Sequence, residues 1–526
     1  MCKCATMSEC MKNKKSIIFL ALISLLTACQ KEVPLEYQQY LPLSNPQKTI
    51  SEVTPLTIEQ RDEVIIKTGV YSFSNLNDVN QAFDNKYYNM LSNNPNPEEI
   101  IEQKLLVVPV YFGESSVNNN PELQSIKKTL LENAFFGDPS RTSYQSVASY
   151  YNQSSYGHLR ITGEVLDWFD VQAGAADAAL AARSKPEDYT DKIVDKVIKS
   201  LGDSKIKEYC TNQEDVIDGM FIVYDYPYTK THADNTLFWA FTSHNQYQDN
   251  KRVSAYSWAS FDFLGENVLE NHLVDATTYI HETGHLLGLI DYYSDSGSSY
   301  YQPTGFMDMM DYNLGDHSPV SKYLLNWTSP AVLDMGNESS KSITIKSFTD
   351  SGEFILVPRG SYNGTPFDKY LLISFFTPTG LNDMSNYPSY VYLDKEGNQQ
   401  VYKYPNSYGV LVHEIDARLA YFKSDVIRNV TPTCPVNEVP PMGNYVINFY
   451  RDNNVSNSND SPFCHLLESS GQNTFKDGYG ATNKTSFKLG STFGVNTFQD
   501  LASECGVTFA ITKLNLKEAT ITFSKI

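Results

Sequence analysis

The segment HETGHLLGLID, from His281 to Asp291, constrains the fold of this chain more than any other part of its sequence. His281 and His285 are four positions apart, so on a helix both imidazoles project from the same face and can share one metal ion. Glu282 lies beside them on the same turn, close enough to hold a metal-bound water. The segment therefore predicts a metal-binding helix, whereas the alternative interpretation is an amphipathic helix with two surface histidines.

The residues after the second histidine indicate how the ligand set is completed. Gly288, three positions after His285, can adopt the left-handed backbone that ends a helix and turns the chain sharply. That turn would bring Asp291 beneath the metal as a third ligand, and hydrolytic zinc sites have three protein ligands and one open position. Another arrangement takes the third ligand from a Glu on a later helix, but the next Glu is Glu338, beyond a run of loop sequence. Asp291 is therefore the predicted third ligand.

The spacing HExxHxxGxx followed by a ligand resembles the signature of the metzincin zinc proteases. Asp in the last position, in place of the more common His, resembles the immune inhibitor A family of secreted bacterial metalloproteases. The similarity extends from about Lys104 to Trp327 and includes the upstream sequence SVASYYNQSSYGHLRITG, while Gly409–Leu419 (GVLVHEIDARL) looks like a further element of the family. The resemblance implies a metzincin-like catalytic domain with a mixed sheet and an active-site helix.

Downstream of the histidines, the sequence GFMDMMDYNLGDH resembles the Met-turn of this family, whose methionine lies beneath the zinc site. The resemblance aligns that methionine with Met310, although Met309 fits the pattern as well and either residue is compatible with plain core packing. Tyr312, two residues later, matches the tyrosine that some metzincins swing between the metal and the transition state. His317 is a rival metal ligand or, more simply, a residue of the surrounding pocket.

The family resemblance also implies a mechanism. Zinc on His281, His285 and Asp291 holds a water molecule, and Glu282 takes its proton as general base and delivers it to the leaving amine. Tyr312 then hydrogen-bonds the developing oxyanion. The sequence accordingly predicts a zinc-dependent endopeptidase of extracellular proteins, in which Glu282 activates a zinc-bound water.

Calcium is a second expected metal, in a structural role. Near the zinc motif, Asp295, Asp308 and Asp316 offer the hard oxygen ligands that calcium prefers, and Asp452–Asp460 offers another group of them. No segment matches an EF-hand loop, so the sequence does not choose between these two places.

Strand-like and helix-like segments alternate before the zinc motif. Lys104–Phe112 (KLLVVPVYF) and Asp218–Tyr224 are apolar runs suited to strands buried on both faces. Thr236–Thr242 (TLFWAFT) is a candidate edge strand for pairing with an extended substrate, although an interior strand explains it equally well. Val268–Leu289 is the longest predicted helix. Beyond Trp327, apolar strands separated by turn residues predict a mostly antiparallel region of β-sandwich type.

These patterns assign the chain to the α+β class and divide it into four segments. Residues 1–29 are predicted to be a signal peptide, and residues 30–101, rich in Pro and Asn, a tether and possible pro-segment. Residues 102–330 are the predicted metzincin-like zinc metalloprotease domain, and residues 331–526 a β-rich C-terminal domain.

The N-terminus carries the features of an export signal. From Met11, the predicted true start, the chain reads MKNKKSIIFLALISLLTAC, a basic region followed by an apolar stretch too short to span a bilayer. The closing LTAC resembles the lipobox of bacterial lipoproteins, whose cysteine is diacylated, and two acyl chains give stable anchoring. The resemblance implies an exported lipoprotein attached to the membrane through Cys29, at the outer membrane or cell surface. The alternative is an ordinary cleaved signal that contains a cysteine.

The net charge of the chain limits the classes of partner that it can bind. The chain has 41 Lys+Arg against 61 Asp+Glu, a net charge of −20, which argues against nucleic acid because such proteins need a basic surface. The expected partners are a protein or peptide substrate and the membrane, and the oligomeric state stays open.

Four cysteines follow the predicted signal peptide: Cys210, Cys434, Cys464 and Cys505. They are too widely spaced for a cysteine zinc site, although an exported chain can form a disulfide between two of the last three.

Two other functions compete with the endopeptidase. One is a surface lipoprotein that binds glycoprotein or glycan and keeps a vestigial metal site, and the other is a structural surface lipoprotein. Glu282 argues against the first, because a general base beside the two histidines is dispensable for metal binding. In the second, a complete set of zinc-site residues would be an accident. The C-terminal β region is compatible with an adhesive module attached to a working protease.

Overall fold

A computed structural model describes residues 100–182, 186–211, 215–228, 237–244, 252–253, 255–265, 267–294, 300–325, 327–360, 362, 366, 368–385, 387, 390–417, 419–422, 444–447 and 462–526. The predicted signal peptide with Cys29, the predicted pro-segment up to residue 99, Asp295, Cys434 and Asp452–Asp460 lie outside these residues. Within them, no helix is both long enough and apolar enough to cross a membrane. They form a mixed sheet and several antiparallel sheets together with helices, consistent with the α+β class.

The first half of the described chain is built on a six-stranded mixed sheet. Its strands are β1 (Ile101–Tyr111), β2 (Leu159–Val165), β3 (Phe169–Asp170), β4 (Gly219–Tyr224), β5 (Phe241–His244) and β6 (Ala255–Ser260). The order is β2-β1-β4-β6-β5, with β3 also paired to β1, and only β5 runs antiparallel to its neighbour. β1 and β4 are almost continuously apolar because both faces of the sheet are covered.

Helices cover the two faces of this sheet. They are α1 (Pro121–Phe136), α2 (Val147–Ser154), α3 (Ala175–Ala181), α4 (Pro186–Lys207, kinked at Gly202), α5 (Val268–Asn271), α6 (Thr277–Leu286), α7 (Met309–Tyr312) and α8 (Pro319–Leu324). Side chains of α1, α2 and α6 join one hydrophobic core with Leu105 and Val107 of β1, while α3 and α4 join a second core with Leu106 and Val108. The alternation along β1 therefore places α6, the helix that carries His281 and His285, on one face of the sheet.

The single helix predicted for Val268–Leu289 is wrong, because the chain forms two helices there. His272 has a left-handed backbone with φ of 56°, which ends α5. The side chain of Asn271 accepts a hydrogen bond from the Leu273 N–H, and that of Asp275 accepts one from the Thr277 N–H. Short polar side chains of this kind compete with helical hydrogen bonds, which is why the helix is interrupted.

The C-terminal β region, from residue 331 on, contains the remaining elements. They are β7 (Ala331–Val332), β8 (Ser340–Lys346), α9 (Phe348–Ser351), β9 (Phe354–Pro358), β10 (Lys369–Phe376), β11 (Tyr390–Leu393), β12 (Gln399–Tyr402), β13 (Gly409–Asp416), β14 (Leu419–Phe422), β15 (Asn444–Ile447), β16 (Cys464–Leu466), β17 (Thr492–Phe493), α10 (Gln499–Cys505), β18 (Val507–Leu514) and β19 (Glu518–Lys525). They form a five-stranded sheet of order β16-β13-β10-β9-β7, a four-stranded sheet of order β17-β18-β19-β8, and the two-stranded pairs β11–β12 and β14–β15.

The five-stranded sheet lies between two cores. Along β10, Leu371 and Ile373 pack in one hydrophobic core with Phe509 and Ile521 of the four-stranded sheet. The alternate residues Tyr370 and Leu372 belong to the core that also contains α1, α2 and α6. One face of this sheet thus completes a sandwich-type pair of sheets, and its other face continues the core of the first half. Among the described residues of the whole chain, no disulfide joins Cys210, Cys464 and Cys505 to one another.

Candidate active site

Three side chains of the HETGHLLGLID segment converge at the C-terminal end of α6. The Nε2 atoms of His281 and His285 are 3.1 Å apart, and they lie 2.9 and 3.2 Å from Asp291 Oδ1. Among the residues that the structure describes, this is the one group of three or more His, Cys, Asp or Glu side chains placed to hold a metal ion. The structure therefore brings the three predicted ligands together.

The chain reaches this arrangement by a tight turn after α6. Gly288 has a φ of 96°, a backbone conformation that favours glycine, as its sequence position predicts. The Gly288 N–H donates to the His285 carbonyl at 2.8 Å, and the Leu289 N–H donates to the Gly284 carbonyl at 3.0 Å. These bonds occupy carbonyls at the end of the helix and reverse the chain, so that Asp291 returns to the two histidines.

Hydrogen bonds at the far side of each imidazole fix which nitrogen faces the cluster. His281 Nδ1 lies 2.9 Å from the Met309 carbonyl, and His285 Nδ1 lies 2.7 Å from the Leu289 carbonyl. Because a carbonyl only accepts, each Nδ1 carries a proton and each Nε2 faces the cluster, where a metal ion would replace any proton that the Nε2 atoms hold. Two imidazole nitrogens and a carboxylate oxygen at these separations fit tetrahedral zinc, whose ligands lie about 2.0–2.2 Å from the metal.

The pKa shifts of Asp291 and His285 also fit a site for a cation. Burial acts to raise the pKa of Asp291, but the two neighbouring imidazoles hold that pKa well below its usual range. Burial acts to lower the pKa of His285, but the neighbouring Asp291 carboxylate raises it to about 10. The cluster thus stabilises positive charge at the point where the three donor atoms meet, as a cation site requires.

Glu282 is buried beside the three donors, and Thr242 of β5 contacts its carboxylate. The Thr242 hydroxyl lies 2.8 Å from Glu282 Oε2, and Ser257 Oγ of β6 lies 2.7 Å from Thr242 Oγ1. Burial raises the pKa of Glu282, while the neighbouring imidazoles and Thr242 act to lower it. Sequence reasoning missed Thr242, whose only signal was its place in the predicted edge strand.

The short helix α7, which contains Met309 and Met310, packs against α6. A Cβ atom added to Gly284 would lie 2.4 Å from Met310 Sδ, so the Met310 side chain packs directly against the helix. Met309 instead supplies the carbonyl that accepts from His281, and the Met310 carbonyl accepts from the Tyr292 N–H at 2.7 Å. Both methionines are fully buried, and the sulfur of Met310 lies against α6 at Gly284.

His317, Asp308 and Asp316 lie apart from the donor cluster. His317 is buried, with its Nδ1 3.6 Å from Asp308 Oδ1. Asp308 accepts from the backbone N–H groups of Met310 and Ser318, both at 2.7 Å. Asp316 accepts from Lys322 Nζ at 2.6 Å. The two carboxylates are engaged by protein donors, and the calcium sites expected there and at the residues outside the described chain stay a prediction.

An open cleft of about 610 Å³ runs past the site. His281, Glu282 and Tyr312 line it, together with the large rings of Trp239, Phe263 and Tyr390. Trp239 precedes β5, and Tyr390 belongs to the C-terminal β region. Tyr312 is thus placed in the same cleft as His281, a predicted metal ligand, and the carboxylate of Glu282.

The strand predicted from TLFWAFT is an edge strand, but its bounds differ from the prediction. β5 begins at Phe241 rather than at Thr236, and Leu237, Phe238 and Trp239 precede it without strand structure. It pairs with β6 alone and lies at the end of the described sheet. Through Thr242 this edge lies directly beside Glu282.

Comparison of the chain with protein-family models and with curated proteins finds no match. The resemblance to the immune inhibitor A family therefore rests on the motif residues themselves.

Proposed function

We propose that this protein is a zinc-dependent endopeptidase that hydrolyses peptide bonds of extracellular proteins. The observation that carries the proposal is the position of Glu282. This carboxylate takes no part in the ligand set, yet it is buried next to it, held by Thr242, and lines an open cleft. A site that only bound metal would not need a second carboxylate at this place.

The residues of the cleft have distinct roles in the proposed reaction. When held by His281, His285 and Asp291, zinc supplies a Lewis acid that polarises the scissile carbonyl and lowers the pKa of water. Glu282 accepts the proton of the attacking water and passes it to the leaving amine. Tyr312 donates a hydrogen bond to the oxyanion as it develops.

The edge strand β5 supplies the binding surface for the polypeptide. Its Thr242 side chain contacts Glu282, and among the described strands it pairs with β6 alone, so that an extended substrate can add to its other edge as one more strand of the sheet. This pairing orients the substrate along the cleft without reading its side chains. We further propose that the enzyme is an exported lipoprotein held at the membrane through Cys29, on the strength of its signal sequence.

The proposal is tested by measuring zinc content and casein hydrolysis for the wild type and for Glu282→Gln. We expect one zinc per chain in both proteins and cleavage by the wild type alone, abolished by a chelator and restored by added zinc. Gln keeps the volume of Glu282 and the hydrogen bond from Thr242 but cannot take a proton. A wild type without zinc would contradict the metal centre, and equal cleavage by both proteins would contradict the role of Glu282. A zinc-loaded wild type that cleaves nothing would favour the vestigial site of a binding lipoprotein.

A further inference from the structure

Part of the cleft wall comes from the C-terminal β region. The antiparallel strands β11 and β12 form a hairpin in which Tyr390 is opposite Tyr402 and Val391 is opposite Val401. Tyr390 lines the cleft together with His281 and Glu282. The two valines are each 60% exposed and lie on the opposite face of the hairpin. The hairpin therefore presents one residue of its tyrosine-rich face to the cleft.

The tyrosine-rich face of the hairpin is fixed to the segment around the Met-turn. The rings of Tyr392 and Tyr402 pack against Phe306, with centroid distances of 5.1 and 5.0 Å. Phe306 also packs against Tyr312, at 4.6 Å, and Tyr312 packs edge-on against Tyr390, at 5.2 Å. The hairpin and the proposed oxyanion donor therefore share one aromatic cluster.

A second contact ties the hairpin to the start of the active-site helix. The ring of Tyr387, which precedes β11, stacks on Tyr390 with a centroid distance of 5.8 Å. The Tyr387 hydroxyl donates to Asp275 Oδ2 at 2.6 Å, and the other oxygen of Asp275 accepts from the Thr277 N–H, which opens α6, at 3.0 Å. Tyr390 is thus held in place from behind by Tyr387 and from the side by Tyr312.

Large rings form much of the described lining of the cleft. Trp239 is 51% exposed, and Trp239 packs edge-on against Phe263 at 5.5 Å. Among the described residues that line the cleft, none is Lys or Arg. Asp275 also lines it and has no ion pair with a described residue. Such a surface favours aromatic and large aliphatic side chains and disfavours acidic ones.

We propose that Tyr390, supported by Tyr312 and Tyr387, forms a subsite for an aromatic or large aliphatic side chain of the polypeptide substrate. The proposal rests on the endopeptidase function. The C-terminal β region is then part of the substrate cleft and helps to select the bond that is cut. It is not merely an adhesive module attached to a complete protease.

The test uses the full chain and a set of peptides that differ at one position near the scissile bond, carrying Phe, Leu, Ala or Glu there. The position is varied from two residues before the bond to two residues after it. For wild type we expect one position at which kcat/KM for Phe or Leu exceeds that for Ala by about tenfold or more, and at which Glu is worst. Tyr390→Ala should reduce this preference to about threefold or less, and the ratio of kcat/KM between the Phe or Leu peptide and the Ala peptide is the quantity that tests the subsite.

Two matched variants separate recognition from structure. Tyr390→Phe keeps the ring and should keep the preference, while Val391→Ala, the next residue on the outer face of the same strand, should behave as wild type. An unchanged preference in Tyr390→Ala, or an equal loss for all peptides in that variant, would overturn the subsite. If wild type cuts none of the peptides, the endopeptidase function itself fails, and the subsite fails with it. Zinc content and the thermal midpoint of each variant verify that the fold is retained.

Discussion

Thr242 reaches the Glu282 carboxylate from another element of the fold, and its hydroxyl is the one side-chain donor to that carboxylate among the described residues. Thr242→Val keeps the side-chain volume but replaces the hydroxyl by a methyl group. A hydrogen bond to a charged group contributes about 1.5–3 kcal/mol, so we expect kcat to fall by about tenfold to a hundredfold. KM and zinc content should change little, because Thr242 holds the base and not the ligands. Steady-state kinetics on one peptide substrate measures this.

Thr242→Ser is the control, since it restores the hydroxyl and should recover most of kcat. A loss of zinc in Thr242→Val would show that the residue supports the metal centre instead of the base. An unchanged kcat would show that Glu282 is oriented without it.

At the level of single residues, the sequence was informative only where the chemistry is local. His281, His285, Gly288 and Asp291 lie within eleven positions, and the helical period together with one glycine is enough to bring them together. Thr242 is 40 positions from Glu282, and their contact depends on the order of strands in the sheet. No pattern in one sequence reports that order.

Between elements, a close contact at the site joins α6 to α7. A Cβ on Gly284 would lie 2.4 Å from Met310 Sδ and 3.0 Å from the Tyr151 hydroxyl oxygen. We expect Gly284→Ala to lower the free energy of unfolding, because overpacking costs about 1–3 kcal/mol and the better helix propensity of Ala returns at most about 1 kcal/mol. The displaced methionine should also weaken zinc binding, since the adjacent Met309 carbonyl holds His281.

A double-mutant cycle decides which methionine carries this contact. The cost of Gly284→Ala should shrink by about 1–2 kcal/mol in a Met310→Ala background, where the clash is removed. In a Met309→Ala background the cost should be unchanged. Urea unfolding of the six proteins measures both couplings. Coupling to Met309 instead of Met310 would contradict the packing described here.

The elements differ in how well the sequence predicts them. β1 and β4 were predictable because a strand buried on both faces needs a continuous apolar run. The division of Val268–Leu289 into α5 and α6 was not, since the hydrophobic period continues across His272 while local side-chain hydrogen bonds interrupt the helix. The place of β11 in the cleft depends on aromatic contacts with residues nearly 80 or more positions away, such as Phe306 and Tyr312.

In the molecule as a whole, the two halves share one hydrophobic core, and a buried ion pair lies at their junction. Lys322 Nζ donates to Asp316 Oδ2 at 2.6 Å, and both side chains are buried. The same ammonium group lies 4.2 Å from the ring centre of Tyr156 and 5.0 Å from that of Phe348 in the C-terminal β region. The sequence predicts a domain boundary near residue 330 but not this junction. The hydrophobic pattern of either half alone does not show that residues of the two halves are buried against each other.

We expect Lys322→Met to destabilise the whole described fold, because it leaves the Asp316 carboxylate buried without a cation. Removing one partner of a buried pair costs about 3–5 kcal/mol. Since the core is continuous across both halves, tryptophan fluorescence and far-UV circular dichroism should report a single urea transition that moves to lower urea in both signals.

Lys513→Met is the control, because it removes a solvent-exposed partner of Glu518 and should leave that transition nearly unchanged. Adding Asp316→Asn to Lys322→Met should recover part of the loss, because the uncompensated charge is gone. Separate transitions for the two signals, or a loss no larger than that of Lys513→Met, would show that the halves unfold independently of this ion pair.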